Sequence, residues 1–292
     1  MRKILVTGGN GMLAAALKRK WTADTEIFLC GRSDADVTCP GSFADAVAKY
    51  SPDAVVNCAA MTHVDECESR REQAMLVNAF AVRDMGKYCR AHGIPFMTFS
   101  SDYVFAGQKG PYCEKSAVGR AVNVYGESKA LGERLLLEAN PDALIVRTSW
   151  LYGGSGPSFV HTMIRLARES EDMVRVVNDQ LGAPTWTDAL AVAIQSLFLQ
   201  HRASGIVHCV CENWTSWYGL AREVFMLCGC DPERVIPVAS VDFPRPARRP
   251  HDSRLLNDRL KTFNGCSMPD WRSALQDFFS AFLQKNGEGR SL

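Results

Sequence analysis

An α/β fold, with a doubly wound parallel sheet followed by a smaller C-terminal α/β region, is the class this sequence predicts. Two observations carry it. Short β-rich runs alternate with longer segments of helical apolar spacing through the first half, and the first run ends in a glycine cluster that opens a helix. Such alternation builds right-handed βαβ units with both sheet faces covered, and ligands then bind beyond the carboxyl ends of the strands.

The first strand candidate, 3–7, is a short apolar run behind Arg2 and Lys3. It stops at a glycine cluster, so it reads as a buried strand and not as a signal peptide. The run that follows, Val6-Thr-Gly-Gly-Asn-Gly-Met-Leu-Ala14, has the strand-before, helix-after setting of a dinucleotide fingerprint in the spacing G-x-x-G-x-x-A. Gly8 permits the tight turn, Gly11 lets the backbone approach a pyrophosphate, and Ala14 stands where a third glycine would touch the strand. This marks the sheet as Rossmann-type. The second strand, 26–30, ends in Leu29-Cys-Gly-Arg-Ser33 with no acid to take the ribose hydroxyls of NAD. Arg32 is available for a 2′-phosphate instead, which favours NADPH; the alternative is a solvated loop arginine.

The third strand, 54–58, and the fourth, 95–100, flank a helical segment at 74–91. Ser100-Ser101-Asp102 follows the fourth strand and so falls on the carboxyl edge. A helix at 128–138 leads to the fifth strand, 143–148, and its opening carries Tyr125 and Lys129 four residues apart. At that spacing two side chains share a face, with β-carbons roughly 5–6 Å apart. A neutral tyrosine at pH 7 can give its proton to a developing alkoxide, and an adjacent ammonium would lower its pKa. Ser101 could hold a carbonyl oxygen. Alone, the Tyr/Lys pair fits surface decoration equally well; the glycine loop and the strand-end serine raise it to a catalytic candidate.

Beyond Trp150 the pattern loosens into helices at 159–168, 187–200 and 216–227, short strands and proline-rich joints, with a last helix at 271–284 and a frayed tail at 286–292. The division is 1–150 as a dinucleotide-binding domain, with later segments returning to it, and 151–292 as a mainly substrate-binding domain. Lys and Arg total 33 against 32 Asp and Glu, which gives no global electrostatic reason for a nucleic-acid or anionic-membrane partner. No apolar run approaches the roughly 20 residues that span a bilayer. Eleven cysteines, an odd number, read as reduced core thiols of a cytoplasmic protein; Cys209-Val-Cys211 and Cys228-Gly-Cys230 are spaced more tightly than the usual zinc pair.

With these residues goes a resemblance over nearly the whole chain. "NCAAMTHVDECE" (57–68), "SSDYVF" (100–105), "NVYGESKALGE" (123–133), "RTSWLYG" (147–153), "VNDQLGAPT" (177–185), "PARRPHDSRL" (246–255) and "MPDW" (268–271) are similar to blocks of the extended short-chain dehydrogenase/reductases, and within them of the dTDP-4-dehydrorhamnose reductase family. The resemblance implies Ser101, Tyr125 and Lys129 as catalytic trio, with serine where the family usually has threonine. It implies cofactor contacts from Gly11, Met12 and Leu13 to the phosphates, from Asp36 and Val37 to the adenosine end, from Ala60, Met61 and Thr62 to the middle and from Phe99 to the nicotinamide half. Ser101, Asp102 and Trp150 would contact the sugar nucleotide. The implied reaction is NADPH-dependent reduction of the C4 ketone of dTDP-6-deoxy-L-lyxo-4-hexulose, with NADH not excluded. Arg245, Arg248 and Arg249 would then clamp the diphosphate, the alternative being a solvated cluster. Some relatives dimerise around a divalent cation such as Mg2+, so a homodimer stays open, and no carboxylate set for the ion can be picked from the sequence. Two rivals belong here. One is another enzyme of the same superfamily: a 4,6-dehydratase would carry an acid where this chain has Tyr103, whereas a reductase of another nucleotide 4-ketosugar would use the same trio. The other, a non-catalytic subunit like that of methionine adenosyltransferase, would lack the later blocks.

Overall fold

The computed structural model describes residues 1–21, 24–154 and 156–285, so the frayed tail expected at 286–292 lies outside the described residues. In chain order the elements are β1 (Arg2–Thr7), α1 (Met12–Lys20), β2 (Thr25–Cys30), α2 (Pro40–Tyr50), β3 (Ala54–Asn57), α3 (Val64–Ser69), α4 (Arg71–Met75), a π turn (Leu76–Phe80), α5 (Ala81–Ala91), β4 (Phe96–Ser101), α6 (Val124–Ala139) and β5 (Leu144–Thr148). There follow β6 (Leu151–Tyr152), α7 (Phe159–Glu169), β7 (Val174–Val177), β8 (Leu181–Gly182), β9 (Thr185–Trp186), α8 (Thr187–Gln195) with a second π turn (Ser196–Gln200), β10 (Gly205–His208), β11 (Thr215–Ser216), α9 (Trp217–Leu227), β12 (Val235–Val238) and α10 (Trp271–Lys285).

Six parallel strands form the central sheet in the order β10-β5-β4-β3-β1-β2. Successive residues of a strand face opposite sides, and both sides here are apolar. Ile4 and Val6 enter the larger core with Leu13, Ala14 and Leu17 of α1 and Leu190 and Ile194 of α8. Leu5 and Val55 point the other way, against Phe43 of α2, Met85 of α5 and Leu136 of α6. The sheet is therefore doubly wound, and because β1 sits between β2 and β3 the strand order reverses there. Loops leaving β1 and β3 diverge at that point and open a crevice at the carboxyl edge.

The sixth strand, β10, comes from the second half of the chain and pairs with β5 from Gly205 opposite Leu144 to His208 opposite Arg147. Helix α10 likewise seats Trp271, Leu275 and Phe278 in the same core as Ile4 and Val6. One apolar core thus runs through both halves. The remaining described strands form two-stranded fragments, β6 with β9, β8 with β11 and β7 with β12.

Candidate active site

The glycine loop is dictated by backbone geometry. Gly8 has φ +66°, and a β-carbon there would lie 2.5 Å from the amide nitrogen of Ala59 in the loop after β3. Only glycine fits, and the two loops that border the crevice touch through it. Gly11 is the exposed N-cap of α1, with no side-chain cap and no acid in the first turn, so the first amides of the helix face outward with their positive end uncompensated. A phosphate suits that position. Met12 is half-buried, while Leu13 and Ala14 are buried beneath the loop. Gly8→Ala is expected to cost about 1–3 kcal/mol in urea unfolding, from left-handed strain and the clash with Ala59, and to weaken dinucleotide binding in titration.

At the end of β2, Arg32 is 80% exposed and its Nε meets Asp36 at 3.1 Å. Asp36 accepts further bonds from the Thr38 amide at 2.9 Å and the Thr38 hydroxyl at 2.7 Å, which hold its carboxyl below the ordinary range, with Arg32 adding to the effect. An exposed ion pair of this kind is weak, about 1 kcal/mol or less, so the guanidinium can be drawn to a better anion. Val37 packs half-buried beside it.

A polar ladder crosses the carboxyl ends of three strands. The Thr7 hydroxyl donates to Asn57 Oδ1 at 2.7 Å, and Asn57 Nδ2 donates to the Thr98 hydroxyl at 3.0 Å. Asn57 Oδ1 also receives the Ala59 amide at 3.0 Å and so starts the loop that carries Ala60, Met61 and Thr62 along the crevice. Asn78, in the first π turn, then clamps that loop: its Oδ1 accepts the Met61 amide at 2.9 Å and its Nδ2 donates to the Met61 carbonyl at 3.0 Å and to Ser128 at 2.9 Å. Neither Asn57 nor Asn78 was singled out by sequence reasoning. A buried asparagine inside an apolar pattern was the available signal.

Ser101, Tyr125 and Lys129 come together over the end of β4. The Ser101 hydroxyl donates to Asp102 Oδ1 at 2.9 Å and accepts the Tyr103 amide at 3.1 Å. Burial pushes the Tyr125 phenol above its ordinary value, and the Ser101 hydroxyl pulls it back down. The net shift is thus upward, against the expectation of a lowered phenol, because burial outweighs the lowering influence of the Ser101 hydroxyl. Lys129 is 5% exposed, and burial pushes its ammonium down to about 8, against the upward pull of Glu133 and Cys58. Phe99 stands half-buried beside this group, within the larger core.

The start of α6 explains the rest of that stretch. Asn123 caps the helix by accepting the Gly126 amide at 2.7 Å, and its Nδ2 reaches the Arg248 carbonyl at 2.7 Å. Gly126 is pressed on the Tyr103 carbonyl, 2.1 Å from where a β-carbon would sit, which sets the distance between the tyrosine helix and the loop after β4. Glu127, in the first turn of the same helix, pairs with Arg71 at 2.6 Å.

Just past β5, Trp150 has φ +46° and stacks on Trp217 with ring centroids 3.6 Å apart. Its Nε1 is buried without a hydrogen-bond partner. Asp102, 2% exposed, is pushed up to about 7 by burial, with Ser253 and Ser101 pulling the other way. The three arginines divide. Arg245 and Arg249 both hold Asp65 of α3, at 3.0 Å from Arg245 Nη2 and 3.0 Å from Arg249 Nη2, while the Arg248 side chain is exposed. Arg249 also bears on the Tyr103 hydroxyl. Asp65 therefore pins the arginine loop to α3, a role no sequence pattern announced.

All eleven cysteines are free thiols, and among the described residues no group of three or more His, Cys, Asp or Glu side chains is placed to hold a metal ion. A groove of about 980 Å³ opens at the opposite, amino-terminal edge of the sheet, past Arg2, Asp53, Arg90 and Gln200. Its lining carries Asp24, Asp53 and Asp142 with Arg2, Arg90 and Arg202 but none of the glycine loop, and strand geometry places the chemistry at the other edge. No helix among the described residues is long and apolar enough to cross a membrane.

Comparison with known proteins bears on the family and the fold. The family profile described as RmlD substrate binding domain matches residues 1–284. A dTDP-4-dehydrorhamnose reductase of Streptomyces griseus is 43% identical, aligned over 97% of this chain and 95% of its own. A protein of Streptomyces antibioticus described as a probable dTDP-4,6-dihydroxy-2-methyloxan-3-one 4-ketoreductase is 40% identical over 96% of this chain and 95% of its own. The crystal structure of a dTDP-4-dehydrorhamnose reductase from Bacillus anthracis in complex with NADP matches with a TM-score of 0.90 at 32% identity, covering 96% of this chain and 99% of that one.

Proposed function

The chain belongs to the RmlD substrate binding domain family, and we propose that it reduces the C4 ketone of dTDP-6-deoxy-L-lyxo-4-hexulose to dTDP-L-rhamnose with NADPH. One observation carries the reading: a tyrosine, a lysine and a serine at the carboxyl end of β4, beside a glycine loop whose helix amides are open to a phosphate. NADPH supplies the hydride to C4 when bound. Tyr125 gives its proton to O4, and Ser101 holds that oxygen as negative charge develops on it. Lys129, as an ammonium on the same helix face, favours the phenolate left behind. Trp150 and Asp102 line the sugar nucleotide, and Arg248 and Arg249 face its diphosphate. Gly8, Gly11, Met12 and Leu13 hold the cofactor phosphates, Asp36 and Val37 its adenosine, and Ala60, Met61, Thr62 and Phe99 the remainder. Residues 1–150 then form the cofactor domain, and 151–292 mainly the substrate domain.

NADP in the Bacillus anthracis relative and the absence of an acid at Cys30-Gly31 both support NADPH. Arg32→Ala is expected to raise KM for NADPH about tenfold and to leave KM for NADH nearly unchanged, in steady-state assays with each cofactor. Equal losses with both cofactors would remove Arg32 from 2′-phosphate recognition. The Streptomyces antibioticus relative favours one second reading, a reductase of another dTDP-4-ketosugar that uses the same trio. Following NADPH oxidation with the two ketosugars side by side tests both. No oxidation with either ends the reductase reading, and turnover of only the second moves the assignment.

A further inference from the structure

Lys129 and Glu133 lie one turn apart on α6, both buried, at 5% and 6% exposure. Both line one cavity of about 10 Å³ beneath β4, together with Asn78, Thr98 and Ser100. Glu133 is held from its far side by Arg147 of β5, whose guanidinium donates two parallel bonds, Nε to Oε1 at 2.7 Å and Nη2 to Oε2 at 2.6 Å. Arg147 is 1% exposed and lies over the Phe105 ring at 4.9 Å. A third group completes the row. His208 of β10 has Nδ1 3.0 Å from the Leu256 carbonyl, so Nδ1 carries the proton and Nε2 accepts from Arg147 Nη1 at 3.3 Å. Burial, with Arg147 adding to it, pushes His208 down to about 3, so it stays neutral and does not compete for the carboxylate.

A buried Arg–carboxylate pair is weak evidence of stabilisation, because desolvation offsets much of the attraction. Its place under the catalytic lysine suggests another use. We propose that Glu133, held in place by the two parallel bonds from Arg147, is a positioning residue that sets its side chain one turn along α6 from Lys129 and so holds the Lys129 ammonium in place for Tyr125. This rests on the reading of Lys129 as the ammonium that serves Tyr125. The groups facing Lys129 are Glu133 on its own helix, Cys58 after β3, Asn78 from the π turn, and Thr98 and Ser100 on β4; Tyr125 lies one turn earlier, with Asp102 beyond it. Glu133 is the one carboxylate bearing on the ammonium, and burial already pushes that ammonium down to about 8.

The test is kcat/KM against pH for wild type, Glu133→Gln, Glu133→Asp and the pair Glu133→Gln with Arg147→Met, each with its melting temperature. In Glu133→Gln the alkaline limb should move down by about one pH unit, giving a roughly tenfold loss near pH 8.5 and little loss near pH 6. Glu133→Asp, which keeps the charge, should return the limb toward wild type. Should Glu133→Gln leave Arg147 unpaired and fail to fold, the double variant removes both buried charges together and should show the same displaced limb. An unmoved limb in a folded variant lacking the carboxylate, whatever its melting temperature, would overturn the proposal and leave the pair purely structural. Heteronuclear NMR of the Lys129 side chain reads the same displacement without turnover. An inactive wild type would thus count against the reductase reading while this comparison still stands.

Discussion

Tyr125→Phe is expected to lower kcat for ketone reduction by about 10²–10⁴-fold while leaving KM for NADPH close to wild type. The phenol is the proton donor in the proposed reaction, and its ring also has a packing role, edge-on to Tyr103 with centroids 6.0 Å apart and in one cluster with Met61 and Val124. Phenylalanine keeps that packing, so the melting temperature should hardly move and the loss isolates the proton. Rapid-mixing kinetics of NADPH oxidation would measure it. Near-full activity in a folded Tyr125→Phe would remove Tyr125 as the acid and turn attention to Asp102, a nearby group that also carries a proton near neutrality.

Asp102→Asn should make the protein more stable and less active, and the stability gain should depend on pH. Burial pushes the Asp102 carboxyl up to about 7, against the lowering pull of Ser253 and Ser101, and its Oδ2 is buried with no hydrogen-bond partner. An unfolded aspartate titrates near 4. Between about pH 4 and pH 7 the folded state therefore holds a proton that the unfolded state has lost, and stability falls as pH rises through that window. Above about pH 7 the whole cost of the buried charge is present, of order 2–4 kcal/mol. Asparagine removes that cost at pH 8, whereas at pH 5 the aspartic acid is already neutral and there is little to gain. Urea unfolding at the two pH values measures the difference. An equal gain at both would show that the charge is not the cause. Keeping so costly a group is consistent with the substrate-binding role proposed for Asp102, because strain of this kind persists at functional sites.

Most of the sheet was legible because its strands are continuous apolar runs bounded by turn residues, and such runs carry their own signal. Strand β10 was not singled out: Gly205–His208 is four residues long and falls where the helical pattern has loosened, so nothing local marks it as the sixth strand beside β5. The two π turns were likewise hidden inside helical spacing, at 76–80 and 196–200, since an inserted residue shifts a periodic pattern only slightly. For the site, Gly8, Tyr125 and Lys129 were readable because each sits at a fixed offset from a strand or helix start. Asp65, Asn78, Glu133 and Arg147 were not, because their roles depend on partners 14 to 184 positions away in sequence. Asn123 and Gly126 matched a pattern without a visible reason; the cap on α6 and the contact with the Tyr103 carbonyl supply it. Trp217, which as a sequence position reads equally well as a core aromatic, gains its place beside the site only through the stack on Trp150.

The reductase reading is tested most directly by the product. Purified protein, NADPH and dTDP-6-deoxy-L-lyxo-4-hexulose should consume cofactor and ketosugar one for one and yield dTDP-L-rhamnose, identified by NMR from the C4 configuration. Unchanged ketosugar, or a product of the opposite C4 configuration, would contradict it.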